Sequence, residues 1–228
     1  MNGATSSNLT AKPFAPEPRV LGCLAVGGFT PLSTTDWPGK LAAVVFVQGC
    51  PWRCHYCHNP DLQARPAGDA TRWHRVLDTL VQRVGLLDGV VFSGGEPTLD
   101  AALSHAMRQG RDLGFEVGLH TAGLYPDRLA RWLPLVDWVA LDVKTDFDAY
   151  KAITSVPRSG EPVRESLDLV LVSGKAHELR TTWHPDLIPE ATLMRMARML
   201  KSAGARHWVL QGYRATPVTE ATLGPGER

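Results

Sequence analysis

The sequence has no long apolar run, no excess of either charge, and only one cysteine outside a single short segment. No stretch approaches the ~18 consecutive apolar residues of a membrane helix. The opening MNGATSSNLTAK lacks the apolar centre of a signal peptide. Lysine and arginine number 24 against 23 aspartates and glutamates, a net charge of +1. That balance argues against a chain built to neutralise nucleic-acid phosphates, and against an acidic solvating tail. No internal repeat, no paired carboxylates and no Ser–His–Asp arrangement stand out. The expectation is a cytoplasmic protein that engages neither membrane nor nucleic acid. Its 228 residues suit one domain of common size, which needs no disulfide staples to fold.

Residues 1–19 are polar and carry Pro13, Pro16 and Pro18, so they read as a flexible arm. Residues 20–215 read as the core domain and 216–228 as a tail. Apolar runs at 41–47, 89–92, 115–119, 138–141, 178–182 and 207–211 read as buried strands. Helical spacing lies between them at 73–84, 100–113, 127–133, 162–172 and 190–203. Asp100 is the expected cap of the second helix and Pro126 opens the third. The segment 20–32 reads as a short hairpin or a first strand. This alternation implies an α/β fold of parallel strands with outer helices, a partial (β/α)6 TIM-like barrel or an open doubly wound sheet. A full eight-stranded barrel needs ~250 residues. In such folds function gathers at the C-terminal ends of the strands. Each run ends in polar or ligand residues there: Gln48-Gly49-Cys50, Ser93 to Glu96, His120-Thr121, Asp142 to Lys144, Arg180 to Thr182, and Gln211.

Three of the four cysteines fall in CPWRCHYC at 50–57. Cys50, Cys54 and Cys57 on one compact loop can hold three corners of a four-iron cluster and leave one iron open. The alternative is zinc, with His55 or His58 as fourth ligand, although the second knuckle usual in structural zinc sites is missing. Cys23 stands apart and reads as a buried thiol, too few to build a second cysteine-only cluster.

A C-x3-C-x-aromatic-C motif with Tyr56 as the aromatic resembles the radical S-adenosylmethionine (SAM) superfamily. Within it TDWPG at 35–39, FVQGC at 46–50 and CHNP at 57–60 are similar to the glycyl-radical activating enzymes. SGGEPT at 93–98, DVK at 142–144, RTT at 180–182 and LQ at 210–211 are similar to the branch that serves anaerobic ribonucleotide reductases. The resemblance runs from about residue 20 to 213.

The resemblance implies a [4Fe-4S] cluster on Cys50, Cys54 and Cys57, with SAM bound at the open iron. It places Tyr56 near the adenine, and Gly94 and Gly95 at the methionine amino group, with Glu96 ordering their turn. It adds Thr121, Asp142, Lys144 and Arg180 to the SAM pocket. It implies a glycyl-radical enzyme as partner, an anaerobic ribonucleotide reductase, and a one-electron donor such as flavodoxin or ferredoxin. His120-Thr-Ala-Gly123 departs from the Asp-Thr-Asn-Gly usual in activases, where the Asp of some helps to hold a monovalent cation.

Plainer readings stand beside these. Gly94-Gly95 is then a tight turn, Asp142 and Lys144 a solvated ion pair, and Arg180 an exposed strand-end arginine. His58 and Asn59 order the loop, His184 is a surface histidine, and Trp37 and Trp52 pack in the core or shield the cluster. The competing functions are a radical SAM enzyme for a small molecule (deazapurine-synthase-like), a pyruvate formate-lyase-type activase, and an iron–sulfur or zinc binding module.

Overall fold

The computed structural model describes residues 22–66 and 68–214. The expected arm and tail lie outside the described residues. Seven strands form one sheet in chain order: β1 (Val26–Ser33), β2 (Ala42–Val47), β3 (Gly89–Gly94), β4 (Glu116–Thr121), β5 (Trp138–Asp142), β6 (Ala176–Trp183) and β7 (Trp208–Gly212). From β2 to β7 every pairing is parallel, while β1 runs antiparallel to β2. The six expected parallel strands are therefore present, and the segment read as a hairpin or first strand is one added antiparallel strand. β1 and β7 do not pair, so the barrel is open.

The helices α1 (Ala70–Val81), α2 (Leu103–Asp112), α3 (Pro126–Trp132), α5 (Gly160–Val172) and α6 (Glu190–Ser202) form the outer layer. A short helix, α4 (Tyr150–Thr154), interrupts the run after β5. Each outer helix turns an apolar stripe onto the sheet, for example Trp73, Val76 and Leu80 of α1, and Leu193, Met196 and Leu200 of α6. Those stripes meet the outward residues of the strands, such as Val45, Phe92, Leu119 and Leu141, in the main core.

Asp100 is not the cap of α2. It ends a short 3-10 turn, and its carboxylate accepts the N–H groups of Ala25 and Ala102. Its use is to tie the chain just before β1 to the start of the second helix unit.

The concave side has its own smaller core of Trp37, Ala42, Val44, Val91, Trp138 and Ala140. Trp37 comes from the β1–β2 turn and stacks on Trp138 with ring centroids 5.5 Å apart. It sits over Gly89 and Gly118, where an added Cβ would come within 2.9 and 3.0 Å of its ring. The tryptophan thus plugs the N-terminal end of the barrel. Trp37 is a packing residue of this smaller core.

Candidate active site

Parallel strands with a right-handed twist deliver alternate residues to the concave face and their exits to one rim. In this chain the rim encloses a cavity of about 330 Å³. Cys50, Cys54, Tyr56, Cys57, Gly94, Gly95, Thr121, Asp142, Lys144 and Arg180 all line it. Ser93, His120, Thr182 and Gln211 from the same exits join them. Gln48, Gly49, Val143 and Thr181 of the exits do not line it; Gln48 donates its side-chain N–H to the Asp61 carbonyl, and the Thr181 hydroxyl donates to the Val143 carbonyl. Glu96 is fully buried beneath the turn rather than on the cavity wall.

The cysteine loop leaves β2 and is held from both sides. The Gly49 and Cys50 N–H groups donate to the carbonyls of Leu62 and Gln63. On the other side, the N–H groups of Arg53 and His55 donate to the carbonyls of Thr154 and Ile153 at the end of α4. Trp52 packs edge-on against Tyr150 of α4 at 6.0 Å, and Cys50 and Cys54 lie against that cluster. Burial pushes the Cys50 thiol up to about 12, and raises Cys54 as well. Thiols held protonated by burial are poor nucleophiles, whereas a coordinated metal replaces the proton outright. The donor set therefore fits a soft metal centre better than nucleophilic catalysis. A mononuclear zinc site needs its ligands converging on one ion. No three His, Cys, Asp or Glu side chains among the described residues do so. A four-iron cluster takes one thiolate per corner, which suits cysteines distributed along a loop.

The turn after β3 requires glycine for reasons internal to the protein. Gly94 has φ of +120°, and an added Cβ there would stand 2.4 Å from the Val47 nitrogen. At Gly95 the added Cβ would be 2.3 Å from the Gly49 carbonyl oxygen. The turn is thus pressed against the start of the cysteine loop. The Glu96 N–H donates to the same Gly49 carbonyl, at 2.8 Å. The Glu96 carboxylate accepts from the Thr98 N–H and hydroxyl, from the Thr121 hydroxyl at 2.7 Å and from the Ala122 N–H at 2.9 Å. It locks the exits of β3 and β4 together. Burial raises its pKa, and the four donors oppose that rise.

Across the cavity, Lys144 Nζ lies 3.2 Å from Asp142 Oδ2 and 5.7 Å from the centre of the Tyr56 ring. The Lys144 side chain is 12% exposed and that of Asp142 44%, so the ammonium is shielded while the carboxylate stays open to solvent. Burial works against its charge, but Asp142 and the neighbouring tyrosines and thiol outweigh that, and the ammonium persists well above the usual lysine range. The Tyr56 hydroxyl is buried without a hydrogen-bond partner.

Arg180 is buried, not an exposed strand end. Its Nε meets Glu178 at 2.6 Å, and its guanidinium lies over Trp138, 5.2 Å from the ring centre. His120 Nε2 stands 2.8 Å from the Asp36 carbonyl, which only accepts, so that nitrogen carries the proton. Burial, then the charge of Arg180, pushes the His120 imidazole down to about 4. It is neutral at pH 7 in both the folded and the unfolded chain. Below about 6.5 the unfolded chain takes up the proton first, so stability falls as pH drops from about 6.5 towards 4. We expect a loss of about 2 kcal/mol between pH 7 and pH 5 from this group. His120→Gln should flatten that slope in urea unfolding, and an unchanged slope would refute the assignment.

Two residues that the sequence reading did not single out complete the site. Tyr150 holds the Lys144 N–H at 2.8 Å through its hydroxyl. Tyr213, just past β7, lies between His58 and His184, with ring centroids 6.1 and 4.9 Å away. His184 is thereby buried, which corrects its reading as a surface residue. His58 meets the Tyr213 ring and lies 3.4 Å from the Arg214 N–H, so it anchors the loop to the chain beyond β7. Cys23 is half-buried and lines a different cavity, beside Trp73, His74 and His105. No helix among the described residues is long and apolar enough to cross a membrane.

A family model described as the radical SAM superfamily matches residues 44–200. A Methanocaldococcus jannaschii protein named for glycyl-radical enzyme activation is 33% identical over 186 residues, covering 77% of this chain and 75% of that protein. The pyruvate formate-lyase-activating enzyme of Clostridium pasteurianum is 35% identical over 135 residues, covering 57% of this chain and 56% of that enzyme. The chain thus spans about half the length of that enzyme. Among solved structures, Streptococcus suis SuiB bound to precursor peptide SuiA superposes with a TM-score of 0.60 at 16% identity. That match covers 81% of this chain and 41% of SuiB, and it is a likeness of fold.

Proposed function

The chain belongs to the radical SAM superfamily, among the glycyl-radical activating enzymes, and on that premise we propose that it installs a glycyl radical on a partner enzyme. The observation that carries this reading is the single cavity that gathers the three clustered cysteines and the residues at the strand exits. Cys50, Cys54 and Cys57 would hold a [4Fe-4S] cluster. When bound, the cluster and SAM would supply the one-electron reductive chemistry for removing a hydrogen atom from a glycine α-carbon of the partner.

The remaining work of the chain is to bind, orient and exclude water. Lys144 offers a buried ammonium to the SAM carboxylate, and Asp142 keeps that ammonium charged. Gly94 and Gly95 offer backbone without side chains to the methionine end, and Glu96 holds their turn to β4. Tyr56 would flank the adenine. Arg180 offers a fork of donors to carboxylate or ribose oxygens. Thr121, hydrogen-bonded to Glu96, shapes the wall between them.

The flanking motifs favour an anaerobic ribonucleotide reductase as partner, with a flavodoxin- or ferredoxin-type donor. The identity to the C. pasteurianum enzyme favours a formate-lyase-type partner as the second reading. The test reconstitutes the protein with iron and sulfide without oxygen, then adds SAM and a strong reductant. Release of 5′-deoxyadenosine is the expected result. Electron paramagnetic resonance on each candidate partner then reads out the glycyl radical. Absence of the nucleoside from protein with an intact four-iron cluster would overturn the reading.

A further inference from the structure

Among the described residues the open barrel has two unpaired sheet edges, and they differ. The β1 edge carries Pro31, and its pairing with β2 has two register shifts. Proline and bulges are the usual means of blunting an edge against added strands. The β7 edge, WVLQG, has neither, and it pairs with β6 one-to-one along its length. Val209 and Leu210 are exposed there, at 38% and 46%.

The ladder shows which groups of β7 have no strand partner among the described residues. The His207 carbonyl accepts from the Leu179 N–H, and the Tyr213 N–H donates to the Trp183 carbonyl. In a parallel ladder alternate residues turn both backbone groups to the same neighbour. Residues 207, 209, 211 and 213 therefore face β6. Trp208, Leu210 and Gly212 turn their N–H and C=O groups outward. The side chains of Val209 and Gln211 share the face of their partners Arg180 and Thr182, and Gln211 lines the cavity. The free edge is thus continuous with the mouth of the site.

We propose that this edge takes an extended segment of the protein partner as an added strand, hydrogen-bonded to Trp208, Leu210 and Gly212. The inference rests on the activase reading above, since it supplies the way in for a glycine within a polypeptide. Main-chain pairing would provide affinity with little demand on sequence. An added residue that lies beside Gln211 on the concave face points into the cavity mouth. A glycine at that position brings its α-carbon there with no side chain between.

The test uses peptides of about five to nine residues with a central glycine and varied flanks, with the full-length reconstituted protein and SAM. Slowed amide exchange at Leu210 and Gly212 on peptide addition is expected. Leu210→Pro removes an outward N–H that no strand of the described residues uses, so the protein should fold and bind peptide at least about tenfold more weakly. Leu210→Val keeps the N–H and should bind within about twofold of the parent. Equal binding by Leu210→Pro and the parent overturns the inference. So does slow exchange of both amides before peptide is added, which would mean that this chain or a second copy already pairs the edge. Absence of binding by any peptide also overturns it. The glycyl-radical signal separates the two readings. A radical formed equally by parent and Leu210→Pro would leave the activase standing without the edge. Binding at the edge with no radical on any peptide or partner would reject the activase alone.

Discussion

Replacing Cys54 with alanine should reduce 5′-deoxyadenosine release to background, and Cys50→Ala and Cys57→Ala should do the same. All three thiols line the cavity on one loop, and each would provide a separate corner of the cluster. The loss is not shared out, because a cube with two protein ligands and two open irons has no stable seat. Fold should survive, since the loop is pinned by backbone hydrogen bonds to Leu62, Gln63, Ile153 and Thr154 rather than by its sulfurs. Iron and sulfide content, visible absorption and nucleoside release are measured together on each variant. Cys23→Ala, outside the cavity, should keep all of them. Full iron content and nucleoside release in the three loop variants would reject the cluster assignment.

The cysteine motif is local in the chain, and so are the strand exits, which is why they could be read without a structure. Apolar runs such as 41–47 mark strands buried on both faces, and the polar residue after each run falls on the rim by topology alone. What could not be read depends on contacts between distant segments. Tyr213 carries no motif, yet its ring meets two histidines that lie far from it in sequence. Trp37 sits in a recognisable TDWPG segment, but only the register of β3, β4 and β5 shows that it plugs the barrel. Asp100 precedes a helical pattern and reads as its cap, whereas its carboxylate is also claimed by Ala25, seventy-five residues earlier. The role of Glu96 was half legible. The motif placed it with the turn, but not its bonds to β4, because Thr121 and Ala122 come from the next strand exit.

Those bonds give Glu96 an effect beyond its own position. Glu96→Ala would leave the Thr98 and Thr121 hydroxyls and the Thr98 and Ala122 N–H groups without this acceptor. Removing the acceptor of several buried donors costs about 3–5 kcal/mol, a large share of a typical domain's stability. Glu96→Gln keeps the shape and one acceptor oxygen, but turns an NH2 group towards donors. It should lie between the parent and alanine. The loss should also reach the cavity, because the Glu96 carboxylate ties the turn of Gly94 and Gly95 to Thr121 and Ala122 at the exit of β4. SAM affinity should therefore fall in the same order as stability, with the cysteine loop still able to take iron. Urea unfolding and equilibrium SAM binding on parent, Glu96→Gln and Glu96→Ala check this. Full SAM affinity in a destabilised Glu96→Ala would show that the turn keeps its shape without the carboxylate, and that Glu96 serves the fold alone.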